Sequence, residues 1–140
     1  MKKIIPNFIN LPNKIININE LRIARLYSGY KNSGSYLHKH SPALNYLLKG
    51  KKLWLVIPFS IENFTYIQFN NYKYDTDYLE NNEENIFEWF KRNLVKIKND
   101  IIESKIFIQN EGDVVFIPDL YFHSVLNLDF CIGITYSYHN

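Results

Sequence analysis

The chain has 140 residues, 46% of them hydrophobic and 21% charged, which is a globular composition and excludes a disordered one. That length fits a single domain over 1–140 and leaves no room for a second. A net charge of +2 gives no basis for nucleic-acid binding.

The opening, Met1–Ile9, carries two lysines but is broken by Pro6 and Asn7. It lacks the apolar core and cleavage site of a signal peptide, and no apolar run reaches the ~20 residues of a membrane span. Residues 1–20 are rich in Asn, Ile and Pro and read as one short strand or an irregular arm. The 19 Ile and 18 Asn reflect codons rich in A and T, so scattered asparagines receive no role.

Arg22–Ser28 alternates as a strand and ends at Gly29. Tyr30–Ser35 is turn-like, and Tyr36–His40 is short and extended. Leu44–Leu48 and Lys52–Ile57 read as two strands, with Gly50 predicting a tight hairpin between them. Ser60–Tyr78 is aromatic and polar without a clear period. Its aromatics, among them Phe64, Tyr66, Phe69, Tyr72 and Tyr74, are expected to cover the barrel.

Ile86, Phe90, Leu94, Ile97 and Ile101 recur at helical spacing, which predicts one amphipathic helix over Asn82–Ser104. Acidic residues lie near its start and basic ones later, as the helix dipole favours. Four strands follow: Lys105–Gln109, Val114–Ile117, Phe122–Leu128 and Cys131–Tyr138. The fold class is therefore mainly β, a sandwich or barrel with a helix laid outside. The single cysteine, Cys131, rules out an internal disulfide. With the absent membrane and export signals it sets the expectation of an intracellular, cytoplasmic chain with no membrane partner.

Four histidines are present, two of them as His38-Lys39-His40. On a strand, positions two apart share a face, so these imidazoles can converge on one ion. His123 lies on a distant strand and can supply a third ligand, whereas His139 is next to the last residue and is expected to be solvated. By spacing alone, exposed loop histidines and a hydrogen-bonded core histidine explain the same pattern. Along the last strands, Cys131, Gly133, Thr135 and Ser137 form a small, partly polar face, and His123, Val125 and Asn127 share another. Such faces leave space for a ligand. Lys52 alternates with Trp54 and Val56, so it either meets an anion or lies solvated at a hairpin end.

The segment Gly112-Asp113-Val114-Val115-Phe116-Ile117-Pro118, with Tyr121-Phe122-His123-Ser124-Val125-Leu126-Asn127-Leu128, resembles the second half of the JmjC (Jumonji C) domain. Gly34-Ser35-Tyr36-Leu37-His38-Lys39-His40 is similar to the family's first ligand stretch. Asn45 through Gly50, Lys52 and Trp54 are similar to its N-x-x-x-x-G-x-K-x-W segment. The resemblance covers about residues 22–59 and 105–138.

It implies a double-stranded β-helix, the cupin-like jelly-roll barrel, with the helix of about 82–104 as an insertion. It implies the cofactors Fe(II) and 2-oxoglutarate, and most plausibly a protein side-chain hydroxylase. By this resemblance His38, His40 and His123 are the metal ligands, with His40 standing where the family usually has Asp or Glu. Lys52 is the partner of the far carboxylate of 2-oxoglutarate, and Ser35, Asn45 and Thr135 are further cosubstrate contacts. Asn127, Gly133 and Ser137 are expected along the same pocket.

The missing carboxylate keeps two other readings open. One is a three-histidine cupin metalloprotein that does not use 2-oxoglutarate, since imidazole binds iron, zinc, nickel and copper. The other is a catalytically silent JmjC-like binding module. The sequence does not name a protein or small-molecule substrate, and the barrel edge and outer helix leave a homodimer open.

Overall fold

The computed structural model describes residues 7–9, 21–70, 72 and 85–138. Its strands are β1 (Asn7–Ile9), β2 (Leu21–Gly29), β3 (Gly34–His38), β4 (Ala43–Lys49), β5 (Lys51–Ile57), β6 (Lys105–Asn110), β7 (Asp113–Ile117), β8 (Phe122–Asn127) and β9 (Cys131–Tyr138). Two helices, α1 (Ile61–Phe69) and α2 (Ile86–Asp100), lie between β5 and β6. Among the described residues the strands form two sheets, ordered β1-β7-β4-β9-β2 and β3-β8-β5-β6. Apart from the parallel β1–β7 pair, all pairs are antiparallel. The result is a mainly β jelly roll of the cupin type, as the sequence predicts.

The alternation of each strand divides its residues between two environments. All six residues of β8 are buried. Phe122 and Leu126 pack outward against the helices, in a core with Leu37, Leu55, Ile57, Ile67, Trp89, Phe90 and Ile97. Val125 points between the sheets, where it joins Trp54, Val56, Val115 and Ile117. The second sheet therefore packs apolar residues on both sides, and His123 and Asn127 fall on the face turned toward the first sheet.

Helix α2 supplies the outer cover through Ile86, Trp89, Phe90, Asn93 and Ile97, a stripe at spacings of three and four. Trp89 and Phe90 belong to the core, and Phe87 packs against it partly buried. Asn85 caps it by accepting a hydrogen bond from the Glu88 backbone N–H at 2.9 Å. The expected start at Asn82 lies outside the described residues, and the helix ends at Asp100, earlier than Ser104.

Two expectations need correction. The segment from Ser60, read as without a clear period, holds a second helix: Ser60 caps α1, its hydroxyl accepting from the Asn63 N–H at 2.9 Å. Only Asn63 and Ile67 of α1 are buried, so no stripe betrays the helix. Ile67 and Tyr72 join the core, while Phe69 is exposed, and Tyr74 lies outside the described residues. Gly50 does not close a hairpin either. β4 and β5 belong to different sheets, and Gly50, at φ +102, turns the corner between them. No described helix is long and apolar enough to cross a membrane.

Candidate metal centre

β3 and β8 are antiparallel neighbours, and their register pairs His38 with His123. His40 follows just beyond the end of β3, so the chain can bring its ring back over the same face. The ligand atoms of all three histidines lie within 4.8 Å of one another. Nε2 of His40 and Nε2 of His123 are 3.0 Å apart. His123 is buried, His38 half-buried and His40 exposed, so the cluster runs from the interior to the rim.

Backbone carbonyls fix the tautomers. Nδ1 of His38 lies 2.7 Å from the Tyr36 carbonyl, that of His40 2.6 Å from Ser41, and that of His123 3.1 Å from Tyr121. A carbonyl only accepts, so each Nδ1 is placed as the donor, which leaves the Nε2 lone pair of a neutral ring free to bind an ion. Burial, then the positive charge that His38 and His40 carry when protonated, holds His123 well below the usual histidine range.

Bare lone pairs at 3.0 Å repel unless a cation or proton lies between them. Two nitrogens at ~2.1 Å from one metal, at right angles, would stand about 3.0 Å apart. The donor set thus fits a divalent ion of the imidazole-binding class. The nearby acids do not enter the cluster. Asp113 accepts from the Asn110 N–H at 2.9 Å and Asp129 from the Phe130 N–H at 2.8 Å.

Beside the histidines lies a cavity of about 810 Å³, large enough for a small-molecule cosubstrate. Lys52, Asn45, Thr135, Ser35, Asn127 and Ser137 all line it. Gly133 does not. The Tyr27 ring occupies its place, and a Cβ at Gly133 would collide with the Tyr27 hydroxyl. His139 lies outside the described residues.

Lys52 is 6% exposed, and no carboxylate of the described residues pairs with it. Its Nζ sits 3.9 Å over the Tyr27 ring centroid, a cation–π contact. Burial pushes the Lys52 ammonium down to about 8. Burial of an ammonium without a carboxylate is costly, and the Tyr27 ring offsets part of that cost.

Two residues escaped the sequence reading. The Tyr27 hydroxyl donates to Asn45 Oδ1 at 2.7 Å, and burial raises its ionisation above the ordinary phenol value, so it remains a protonated donor. Gln109, fully buried, accepts from Trp54 Nε1 at 2.9 Å and donates to the carbonyls of Asn45 at 2.9 Å and Asp113 at 3.0 Å. These bonds tie a cavity wall residue, Trp54, to Asn45 across the two sheets. Alternation marks Tyr27 as inward-facing, but nothing in the sequence marks Gln109.

A comparison with curated protein sequences finds no match. The family model described as "JmjC domain, hydroxylase" matches residues 25–138. That span takes in the barrel strands from within β2 to β9 and all three clustered histidines, and the chain belongs to the JmjC domain family.

Proposed function

We propose that this chain is an Fe(II)- and 2-oxoglutarate-dependent oxygenase that hydroxylates a side chain. The observation carrying this reading is the convergence of three histidines whose Nδ1 atoms are all held by backbone carbonyls. His38, His40 and His123 would hold the iron. Bound iron would supply dioxygen activation, with the oxidation of 2-oxoglutarate to succinate and CO2 balancing insertion of the second oxygen atom into a C–H bond.

The chain's own part is binding, orientation and exclusion of water. Lys52 holds the far carboxylate of the cosubstrate from the cavity floor, where low exposure strengthens the pairing. The Tyr27 hydroxyl, Asn45 and Thr135 share one hydrogen-bonded set, with Asn45 Nδ2 3.4 Å from Thr135 Oγ1. They orient that carboxylate together with Ser35. Trp54, Val125 and Ile117 give the cavity a dry wall.

Succinate release under anaerobic and aerobic conditions tests the reading, with wild type and His123→Ala compared at equal iron. The expected result is oxygen-dependent succinate in wild type only. Equal background in both proteins contradicts it.

His40, standing in place of a carboxylate, supports a second reading: a three-histidine metalloprotein that binds its ion without 2-oxoglutarate. Calorimetry separates the two. A chain that binds metal stoichiometrically and has no affinity for 2-oxoglutarate belongs to the second.

A further inference from the structure

We infer that the substrate of this site carries a carboxylate, and that Arg25 at the cavity rim recognises it. The inference rests on the oxygenase reading above and adds the substrate's chemical class to it.

Charge in the cavity is one-sided. Lys52 and Arg25 both line it, and no described Asp or Glu does. Ser28, Ser41 and Ser137 also line it with hydroxyls. A divalent ion on three neutral imidazoles would bring more positive charge, because the ligand that usually offsets it is replaced by His40.

The two cations occupy different places. Lys52 is buried on the second sheet, at the floor. Arg25 belongs to β2, the edge of the first sheet, and is exposed. Register places Arg25 opposite Thr135, and Thr135 opposite Asn45, in one row across that sheet. The cosubstrate's far carboxylate needs only the floor cation, so Arg25 is left at the rim, where a substrate enters.

Arg25 makes no ion pair among the described residues. Its planar fork suits a carboxylate in two parallel hydrogen bonds. Solvent satisfies it while the site is open. A substrate that covers the rim removes that water and must replace it, and a carboxylate does so with charge and two parallel hydrogen bonds where a neutral acceptor offers hydrogen bonding alone.

The test is calorimetry on the Zn(II)-loaded chain, with and without saturating 2-oxoglutarate. The probes are the tripeptide acetyl-Ala-Asp-Ala-amide, its Asn counterpart, and free N-acetylaspartate. Wild type is expected to bind the Asp peptide about tenfold more tightly than the Asn peptide, the size of one charge-assisted contact. Arg25→Gln should erase that preference, and Arg25→Lys should keep part of it. Tighter binding of N-acetylaspartate than of the Asp peptide would assign the carboxylate to a free small acid, and the reverse to a protein side chain.

Equal affinity for the Asp and Asn peptides, or binding of neither, overturns the inference. So does an Arg25→Gln protein that loses 2-oxoglutarate binding instead, since Arg25 would then belong to the cosubstrate. Failure of 2-oxoglutarate to bind wild type defeats the oxygenase reading separately, and the peptide preference measured without it still decides the role of Arg25.

Discussion

His38 and His123 are register partners across β3 and β8, with ring centroids 4.1 Å apart. Strand pairing, not loop folding, therefore sets the distance between two of the three candidate ligands. The third, His40, is the exposed one and the one that departs from the family's usual carboxylate. His40→Asp restores an anionic oxygen ligand beside two unchanged imidazoles. We expect Fe(II) to bind more tightly, by about tenfold, and 2-oxoglutarate binding to become more dependent on iron. Calorimetric titration of both ligands into the two proteins checks this, and no change in either contradicts it.

Lys52 links the cavity to pH. Its folded-state value of about 8 lies below the ordinary 10.5, so the unfolded chain binds more protons between these values. Stability should therefore rise as pH increases from about 8 toward 10.5, as the buried charge is lost. Binding of 2-oxoglutarate should run the other way, weakening above pH 8 because the ammonium is what it pairs with. Thermal melts of wild type and Lys52→Met across this range test the first part, and Lys52→Met should remove that rise. Titration of 2-oxoglutarate at pH 7 and pH 9 tests the second.

Gln109 holds Trp54 and Asn45 from a fully buried position. Gln109→Leu leaves the Trp54 N–H and the Asn45 carbonyl without that partner, at a cost of about 2–3 kcal/mol. Chemical denaturation should read that loss. Gln109→Glu keeps an acceptor for Trp54, so its Trp fluorescence should stay closer to wild type than that of Gln109→Leu.

Gly133 makes room for Tyr27 beneath Lys52. Gly133→Ala should push the Tyr27 ring from its place and lower 2-oxoglutarate affinity, with a stability loss of about 1–3 kcal/mol from overpacking. Metal affinity should be unchanged, because the atoms nearest Gly133's added methyl belong to Tyr27 and Tyr46. Metal and 2-oxoglutarate titrations on the same preparation separate the two effects.

Asn85 caps α2 through the Glu88 N–H. Asn85→Ala should cost about 1 kcal/mol without altering metal content. A melt paired with metal analysis checks that the outer helix acts on stability alone.

Much of the barrel was legible because its strands alternate between two buried faces, as β8 does with Phe122 and Leu126 outward and Val125 inward. Helix α1 was not, because Asn63 and Ile67 alone of its residues are buried and so leave no periodic trace. Gly50 misled because a glycine between two strand-like runs looks the same at a hairpin and at a corner between sheets. The histidine pattern pointed to one place because two of its members share a short segment. Tyr27 and Gln109 were missed for the opposite reason. Their parts depend on partners from other strands, Asn45 and Gly133 for Tyr27 and Trp54 and Asn45 for Gln109, which alternation along one strand does not name.

One ion shared by three rings is what the site requires, and metal stoichiometry after anaerobic loading tests it most directly. Wild type should retain one Fe(II) per chain through gel filtration, and His38→Ala, His40→Ala and His123→Ala should each retain far less. Full retention by His123→Ala, in a protein that remains folded, would contradict a shared site.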